Sequence, residues 1–354
     1  MEYPDDLAYM RRCLALARCA EGNTSPNPMV GAVIVHDGKI IGEGYHLGAG
    51  TPHAEVHAIN AVKDRDLLSQ ATMYVSLEPC SHHGRTPPCA DLIIRSGIRR
   101  VVVGTIDTSD KVSGRGVARL RDAGIEVITD IAGEECREIN RRFFTWHERQ
   151  RPYVILKWAR SADGFLDLVR SPGEPAEPHW ITGLTERILV HRWRAAEDAI
   201  MAGGGTVRTD NPSLDVRLWS GKNPLRVIVS RSGDINPGSK VLDGKAETVM
   251  FTCNDNLSLP GVKTVRITDE ENFIREILAT LHSMEVQSLI VEGGAFILES
   301  FLKTGLWDEA RRFTGAVSFG SGVPDPFPEF RPEKTVRFEK SILEITHHFH
   351  NKSV

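Results

Sequence analysis

The sequence predicts an α/β fold in two domains, and three observations carry that prediction. Apolar runs of strand length alternate with segments of helical period along most of the chain. The helical period breaks at Arg151-Pro152, after which a fresh apolar run, YVILKWAR, begins. The 354 residues exceed what one ordinary core holds and suit two. We therefore expect domains at 1–150 and 151–354.

Taken in order, residues 5–21 place Leu7, Met10, Leu14, Leu16 and Ala17 at helical spacing. The turn-rich NTSPNPMVG leads into AVIVHDGKIIGEGY, which reads as two strands joined by Asp37-Gly38, a strong hairpin signal. HAEVHAINAVKD is helical, ATMYVSLEPC a buried strand, and CADLIIRSG a helix stopped by glycine. RRVVVGTID, GVARLRDAG and IEVITD follow as strand, helix and strand, and CREINRRFFTWHERQ as one closing helix. The second series has strands at YVILKWARSADG, AIMAGGG, LRVIVS, ETVMFT, KTVRIT and SLIVEGG, with a proline-rich loop, RSPGEPAEPHW, after the first. Beyond about residue 325 the sequence is uninformative.

Composition narrows the function classes. Hydrophobic content of 41% and charged content of 25% describe a globular protein. No run approaches the roughly 18 apolar residues of a membrane span. A net charge of −4 argues against a global pull on nucleic acid. The first 20 residues lack the basic start, apolar run and cleavage site of a signal peptide, so a cytoplasmic location is the expectation. Six cysteines in a chain this long do not make a disulfide framework. Only Cys80 and Cys89 sit in an unusual local sequence.

That sequence is PCSHHGRTPPC, preceded by HAE at 53–55. Zinc prefers imidazole nitrogen and thiolate sulfur, and a catalytic site has three protein ligands and one open position. His53, Cys80 and Cys89 are the candidate ligands, with His82 and His83 competing from between the cysteines. Zinc makes water a nucleophile near neutral pH, and Glu55 is the candidate proton carrier. His-x-Glu followed by Pro-Cys and a second cysteine is the zinc-deaminase pattern. Eight residues separate these cysteines instead of two, so the intervening loop is expected to bulge, with Arg85 available to an anionic group.

SPNPMVGAVIV, GYHLGAGTPHAEVHAI and EPCSHHGRTPPC together resemble the deaminase half of the bifunctional riboflavin-biosynthesis deaminase–reductase family. The resemblance implies a cytidine-deaminase-like zinc domain acting on a diaminopyrimidinone that carries a phosphoribosylamino group. It assigns His53, Cys80 and Cys89 to zinc and Glu55 to proton transfer. Asn27 reads either as a contact to the pyrimidine edge or as a turn residue between two prolines.

RPYVILKWARSADG, WITG, HRWRAAEDAIMAGGGTVRTDNPSLDVR and SLIVEGGAFILESFLKTGLWDE resemble the reductase half of the same family. That half implies a dihydrofolate-reductase-like α/β domain that uses NADPH to open the ribosyl ring into a ribityl chain. Carried over by motif, Lys157 and Asp210 are catalytic. Ala159, Trp180, Thr206, Asp210, Gly294 and Ser300 are cofactor contacts. Arg194, Leu214, Arg217 and Glu292 are substrate contacts, the guanidiniums suiting a phosphomonoester. The helix after Gly293-Gly294 offers free N–H groups to a cofactor phosphate. Two departures stand out: the loop before Trp180 is longer than the family's, and Asp215 replaces a threonine. They leave open a second domain that binds substrate without hydride transfer. The expected partner is a small phosphorylated pyrimidine, not nucleic acid or membrane, and the resemblance leaves a homo-oligomer open.

Overall fold

The computed structural model describes residues 4–81, 87–108, 113–170 and 177–348. The chain divides into two compact units, Met1–Gln150 and Arg151–Val354.

In the first unit, helix α1 (Pro4–Ala17) precedes the hairpin β1 (Gly31–His36) and β2 (Lys39–Tyr45). Asp37 and Gly38 both have positive φ, 46° and 71°, as a primed two-residue turn requires. Helix α2 (Ala54–Ala61), β3 (Thr72–Leu77), α3 (Cys89–Arg95), β4 (Arg100–Thr105), α4 (Arg115–Asp122) and β5 (Glu126–Thr129) follow. The sheet order is β2-β1-β3-β4-β5, with β3, β4 and β5 parallel and the hairpin antiparallel at one edge. One apolar layer, including Ile34, Ala58, Val75, Ile93, Val101 and Leu120, covers one side of the sheet; Met10, Cys13, Val33, Tyr74 and Val102 form another.

The expected single closing helix is two, α5 (Gly133–Ile139) and α6 (Arg141–Arg149), broken at Asn140. The cause is tertiary. The Asn140 amide accepts from Met29 N–H at 2.8 Å and donates to the Met29 carbonyl at 2.9 Å, closing the two orphan groups of a distant loop.

The second unit starts with β6 (Tyr153–Arg160) and β7 (Phe165–Asp167), then α7 (Leu184–Ala196), β8 (Ala199–Gly203), α8 (Gly204–Asp210), β9 (Leu225–Val229), β10 (Thr248–Thr252) and β11 (Lys263–Arg266). Helix α9 (Phe273–Ser283), β12 (Ser288–Val291), α10 (Ala295–Thr304), β13 (Glu309–Gly315), β14 (Val323–Pro324), β15 (Lys334–Arg337) and β16 (Ser341–His347) complete it. Nine strands form one sheet in the order β11-β10-β9-β8-β12-β6-β13-β16-β15. The first seven in that order are parallel; β16 and β15 are added antiparallel. The segment beyond 325 therefore ends the sheet, pairing Ser341–His347 along the whole of β13. Its alternating Ser-Ile-Leu-Glu-Ile-Thr is a half-buried strand pattern, exposed enough to escape an apolar-run search.

Parallel sheets present their ligands at the carboxyl ends of their strands. Here those ends are Lys157 onward on β6, the Gly203-Gly204-Gly205 run after β8, and Glu292-Gly293-Gly294 after β12. Among the described residues, no helix is long and apolar enough to cross a membrane.

Candidate functional site

In the first unit the hairpin, α2 and the end of β3 converge on one cluster. His53 is the N-cap of α2, with extended backbone, so its ring stands at the helix mouth while Glu55 lies in the first turn. Cys80 comes three residues after β3 and Cys89 opens α3. The long spacing between the cysteines does not part them. The Cys89 N–H points to the Cys80 sulfur at 3.3 Å, and Ala90 N–H donates to the Cys80 carbonyl at 3.2 Å. His53 Nδ1 lies 3.6 Å from Cys80 Sγ and 3.3 Å from Cys89 Sγ. All three ligand atoms fall within 4.8 Å of one another. One imidazole nitrogen and two sulfurs at that spacing suit a tetrahedral zinc with one open position. The competing ligands His82 and His83, and Arg85, lie outside the described residues.

Electrostatics favour the same use. The hydrogen bond with Cys89, together with His53, holds the Cys80 thiol down against burial, while the same partner and burial push Cys89 up. Glu55 is only 3% exposed, and burial pushes its carboxyl up, opposed by His53. A carboxyl raised toward neutrality is suited to carry protons.

The sequence reading assigned no role to the residue holding this mouth in place. Glu78, buried just before Pro79-Cys80, accepts four backbone N–H bonds: Gly116 at 2.8 Å and Val117 at 3.1 Å on Oε1, Gly114 at 2.9 Å and Asp107 at 3.2 Å on Oε2. It ties the strand that delivers Cys80 to the start of α4. Gly116 lets that helix approach, because a Cβ there would run into the Pro79 carbonyl. Asn27 Nδ2 meets His46 Nε2 at 3.0 Å, while His46 Nδ1 faces the Pro52 carbonyl at 3.2 Å. The carbonyl makes Nδ1 the protonated nitrogen, so Nε2 accepts from Asn27. The His46 ring stands edge-on to His53 at 5.3 Å.

In the second unit two adjoining cavities open at the strand ends. One of about 870 Å³ is lined by Gly203, Ser230, Arg231, Asn254 and Phe273 among others. The other, about 970 Å³, is lined by Lys157, Ala159, Trp180, Arg194, Thr206, Asp210, Leu214, Arg217, Glu292 and Gly294. Gly205, Thr206, Gly294 and Phe296 line both. An elongated ligand such as a dinucleotide can thus lie along the glycine run with one end in each. A Cβ at Gly205 would meet nothing within 4 Å, so this backbone is open to a ligand, and Gly294 needs its positive φ of 76° to turn into α10. Ser300 lines neither cavity; its hydroxyl donates to the Phe296 carbonyl one turn back. The residues of α10 that line the cavities are Ala295, Phe296, Ile297 and Leu298, its first turn.

Glu292 organises the second cavity. Its carboxylate accepts Arg194 Nε at 2.7 Å and Nη2 at 2.9 Å, a bidentate pair, and Lys157 Nζ at 3.3 Å. Burial opposes its ionisation, but Arg194 and Lys157 more than offset that and hold it down to about 2. Arg194 also donates to the Asp215 carbonyl at 3.0 Å, and Arg217 pairs with the Asp215 carboxylate at 2.6 Å. Both candidate phosphate-binding arginines are therefore already engaged by protein acceptors. Leu214, buried, holds φ at 49°, a left-handed backbone that an L side chain adopts at a cost. His191, not singled out from sequence, accepts from Arg217 N–H at 3.2 Å, and burial, with Arg194 and Arg217, lowers it to about 4, so it is neutral near pH 7.

Comparison with known proteins agrees across the chain. The family model for the cytidine and deoxycytidylate deaminase zinc-binding region matches residues 4–105, and that for the RibD C-terminal domain matches 152–347. The riboflavin biosynthesis protein RibD of Aquifex aeolicus is 42% identical over 323 residues, covering 90% of this chain and 89% of its own. That of Escherichia coli is 37% identical over 322 residues, covering 86% of each. The crystal structure of a diaminohydroxyphosphoribosylaminopyrimidine deaminase/5-amino-6-(5-phosphoribosylamino)uracil reductase from Thermotoga maritima superposes with a TM-score of 0.86 at 37% identity, covering 98% of this chain and 99% of that one.

Proposed function

Because this chain belongs to the RibD family of bifunctional riboflavin-biosynthesis deaminase–reductases, we propose that His53, Cys80 and Cys89 hold its zinc and that the cavity around Lys157, Asp210 and Glu292 carries its reduction. The first reaction is hydrolytic deamination of 2,5-diamino-6-(5-phosphoribosylamino)pyrimidin-4-one: water replaces a ring amine and ammonia leaves. Zinc supplies the Lewis acidity that makes water nucleophilic near pH 7. Glu55 takes the proton of the attacking water and delivers it to the departing amine, work for which its buried, raised carboxyl is suited. Asn27, oriented by His46, offers its remaining amide atoms to the pyrimidine edge. Glu78 sets the position of Cys80 through the four N–H groups it gathers.

The second reaction turns the ribosyl into a ribityl chain, with NADPH supplying the hydride. Lys157, paired with Glu292 at 3.3 Å, donates the proton to the ring oxygen. Arg194 and Arg217 bind the substrate phosphate, and Leu214 packs against the substrate. Ala159, Trp180, Thr206 and Gly294 line the path of the cofactor, and Ser300 stands one turn further along α10. Asp210 stands at the end of α8 in the same cavity, where it polarises the substrate. We read the enzyme as cytoplasmic, acting on a small molecule and not on nucleic acid, with a homo-oligomer to be checked by its mass in solution.

The observation that carries the reading is the convergence of one imidazole and two sulfurs within 4.8 Å beside a buried glutamate. The test gives zinc-loaded protein the phosphoribosylamino-pyrimidine with and without NADPH and reads products by mass. Loss of the amine without NADPH, then a gain of two hydrogens when it is added, is expected. Deamination that never proceeds to reduction would remove the second cavity from catalysis.

A further inference from the structure

The loop between β7 and Trp180 holds an arginine with no place in the roles above. The Arg170 side chain is only 12% exposed, and all five of its N–H directions find acceptors. Nε and Nη2 meet Asp167 Oδ2 at 3.2 and 2.9 Å, Nη2 also meets Asp210 Oδ1 at 3.1 Å, and Nη1 meets the carbonyls of Glu177 at 2.6 Å and Thr209 at 3.1 Å. Asp167 in turn pairs through Oδ1 with His179 Nδ1 at 2.6 Å, next to Trp180. A guanidinium whose five N–H directions meet four acceptor atoms from three segments is a built joint, unlike a solvated surface arginine. It ties both flanks of the longer loop to the last turn of α8.

We propose that Arg170 is a positioning residue of the reductase, fixing the Asp210 carboxylate in the wall of the cavity that Lys157 and Glu292 share. This rests on the role given to Asp210 above. The titratable and charged groups facing Asp210 are Arg170, Asp167 and His179. Burial pushes its carboxyl up, Arg170 opposes that, and Asp167 adds to it. Without Arg170, Asp167 and Asp210 face each other as like charges in a partly buried wall, and Asp210 takes up a proton more readily. Arg170 thereby governs both where that carboxylate points and whether it is ionised.

The test uses full-length zinc-loaded protein bearing R170M, R170K or D210N, with the deaminated substrate supplied directly. In R170M the reductase kcat falls at least about tenfold, as loss of charge-assisted hydrogen bonds that orient a reacting group predicts. Its acid limb moves to higher pH, while NADP+ affinity, read by protein fluorescence, changes less than about threefold. R170K restores the acid limb but not kcat, since one ammonium with three N–H groups cannot satisfy four acceptors. That split separates positioning from simple unfolding, which would move thermal stability and NADP+ binding in step. If D210N abolishes reduction while R170M keeps the parent kcat and pH profile, Arg170 is only structural and the proposal fails. If D210N itself reduces normally, the role of Asp210 fails first, and this inference with it.

Discussion

The two sites of this protein are built in opposite ways. The candidate zinc cluster draws its three donors from short turns beside three elements: His53 at the mouth of α2, Cys80 three residues after β3 and Cys89 in the first turn of α3. The reductase cavity draws on β6, α7, the end of α8, the turn after β12 and the long loop, and it is held by buried ion pairs. In the first, the metal brings the ligands' charges to balance. In the second, the protein must balance its own, and Glu292 between Arg194 and Lys157 is where it does so. The comparison teaches that one site is specified by chemistry at a point and the other by charge bookkeeping across a fold.

Four changes would break or sharpen that contrast. Removing zinc with a chelator, or making E55Q with zinc retained, strikes the point-like site hardest. Deamination falls about 10²–10⁴-fold for E55Q, the span that general acid–base groups contribute. Reduction of supplied deaminated substrate continues, as a coupled assay with NADPH absorbance reports. A joint loss of both activities would dissolve the distinction between the sites.

E292Q tests the distributed site next. It leaves Arg194 and Lys157 buried without a counter-charge, which costs about 3–5 kcal/mol and reduction with it, measured by urea unfolding and turnover. The sign with pH follows from the depressed carboxyl. Its contribution is full above the ordinary glutamate value of 4.5 and is lost as pH falls toward about 2, so E292Q flattens the acid side of the stability curve. An unchanged curve would mean that the ion pairs do not hold this cavity.

N140A is expected to cost about 1–3 kcal/mol, by stranding the Met29 N–H and carbonyl, and to be read in the first unit's unfolding alone. The smallest effect belongs to D215T. Freeing the half-exposed Arg217 should tighten substrate binding less than about fivefold, as an exposed pair allows, and appear in KM with kcat unchanged. A rise in KM would instead make Asp215 a support of the phosphate site.

Legibility followed the same division. The candidate zinc residues stood out because such a site uses particular side chains in a particular order, and the hairpin because Asp37-Gly38 takes positive φ in its turn. Asn140 could not be read, since the helix pattern around it is unbroken and its partner lies 111 residues away. Nor could β16, whose half-exposed alternation becomes a strand only beside β13.

By itself the sequence determined the alternation of strands and helices, the Asp37-Gly38 turn and the candidate zinc donors, because these depend on bonds within a few residues or on one ion's preferences. Only the tertiary structure decided that Glu292 is spent on Arg194 and Lys157, that Asp215 holds Arg217, and that Arg170 reaches Asp210. Charges far apart along a chain compete for partners, and which pairs form depends on where the folded backbone brings them.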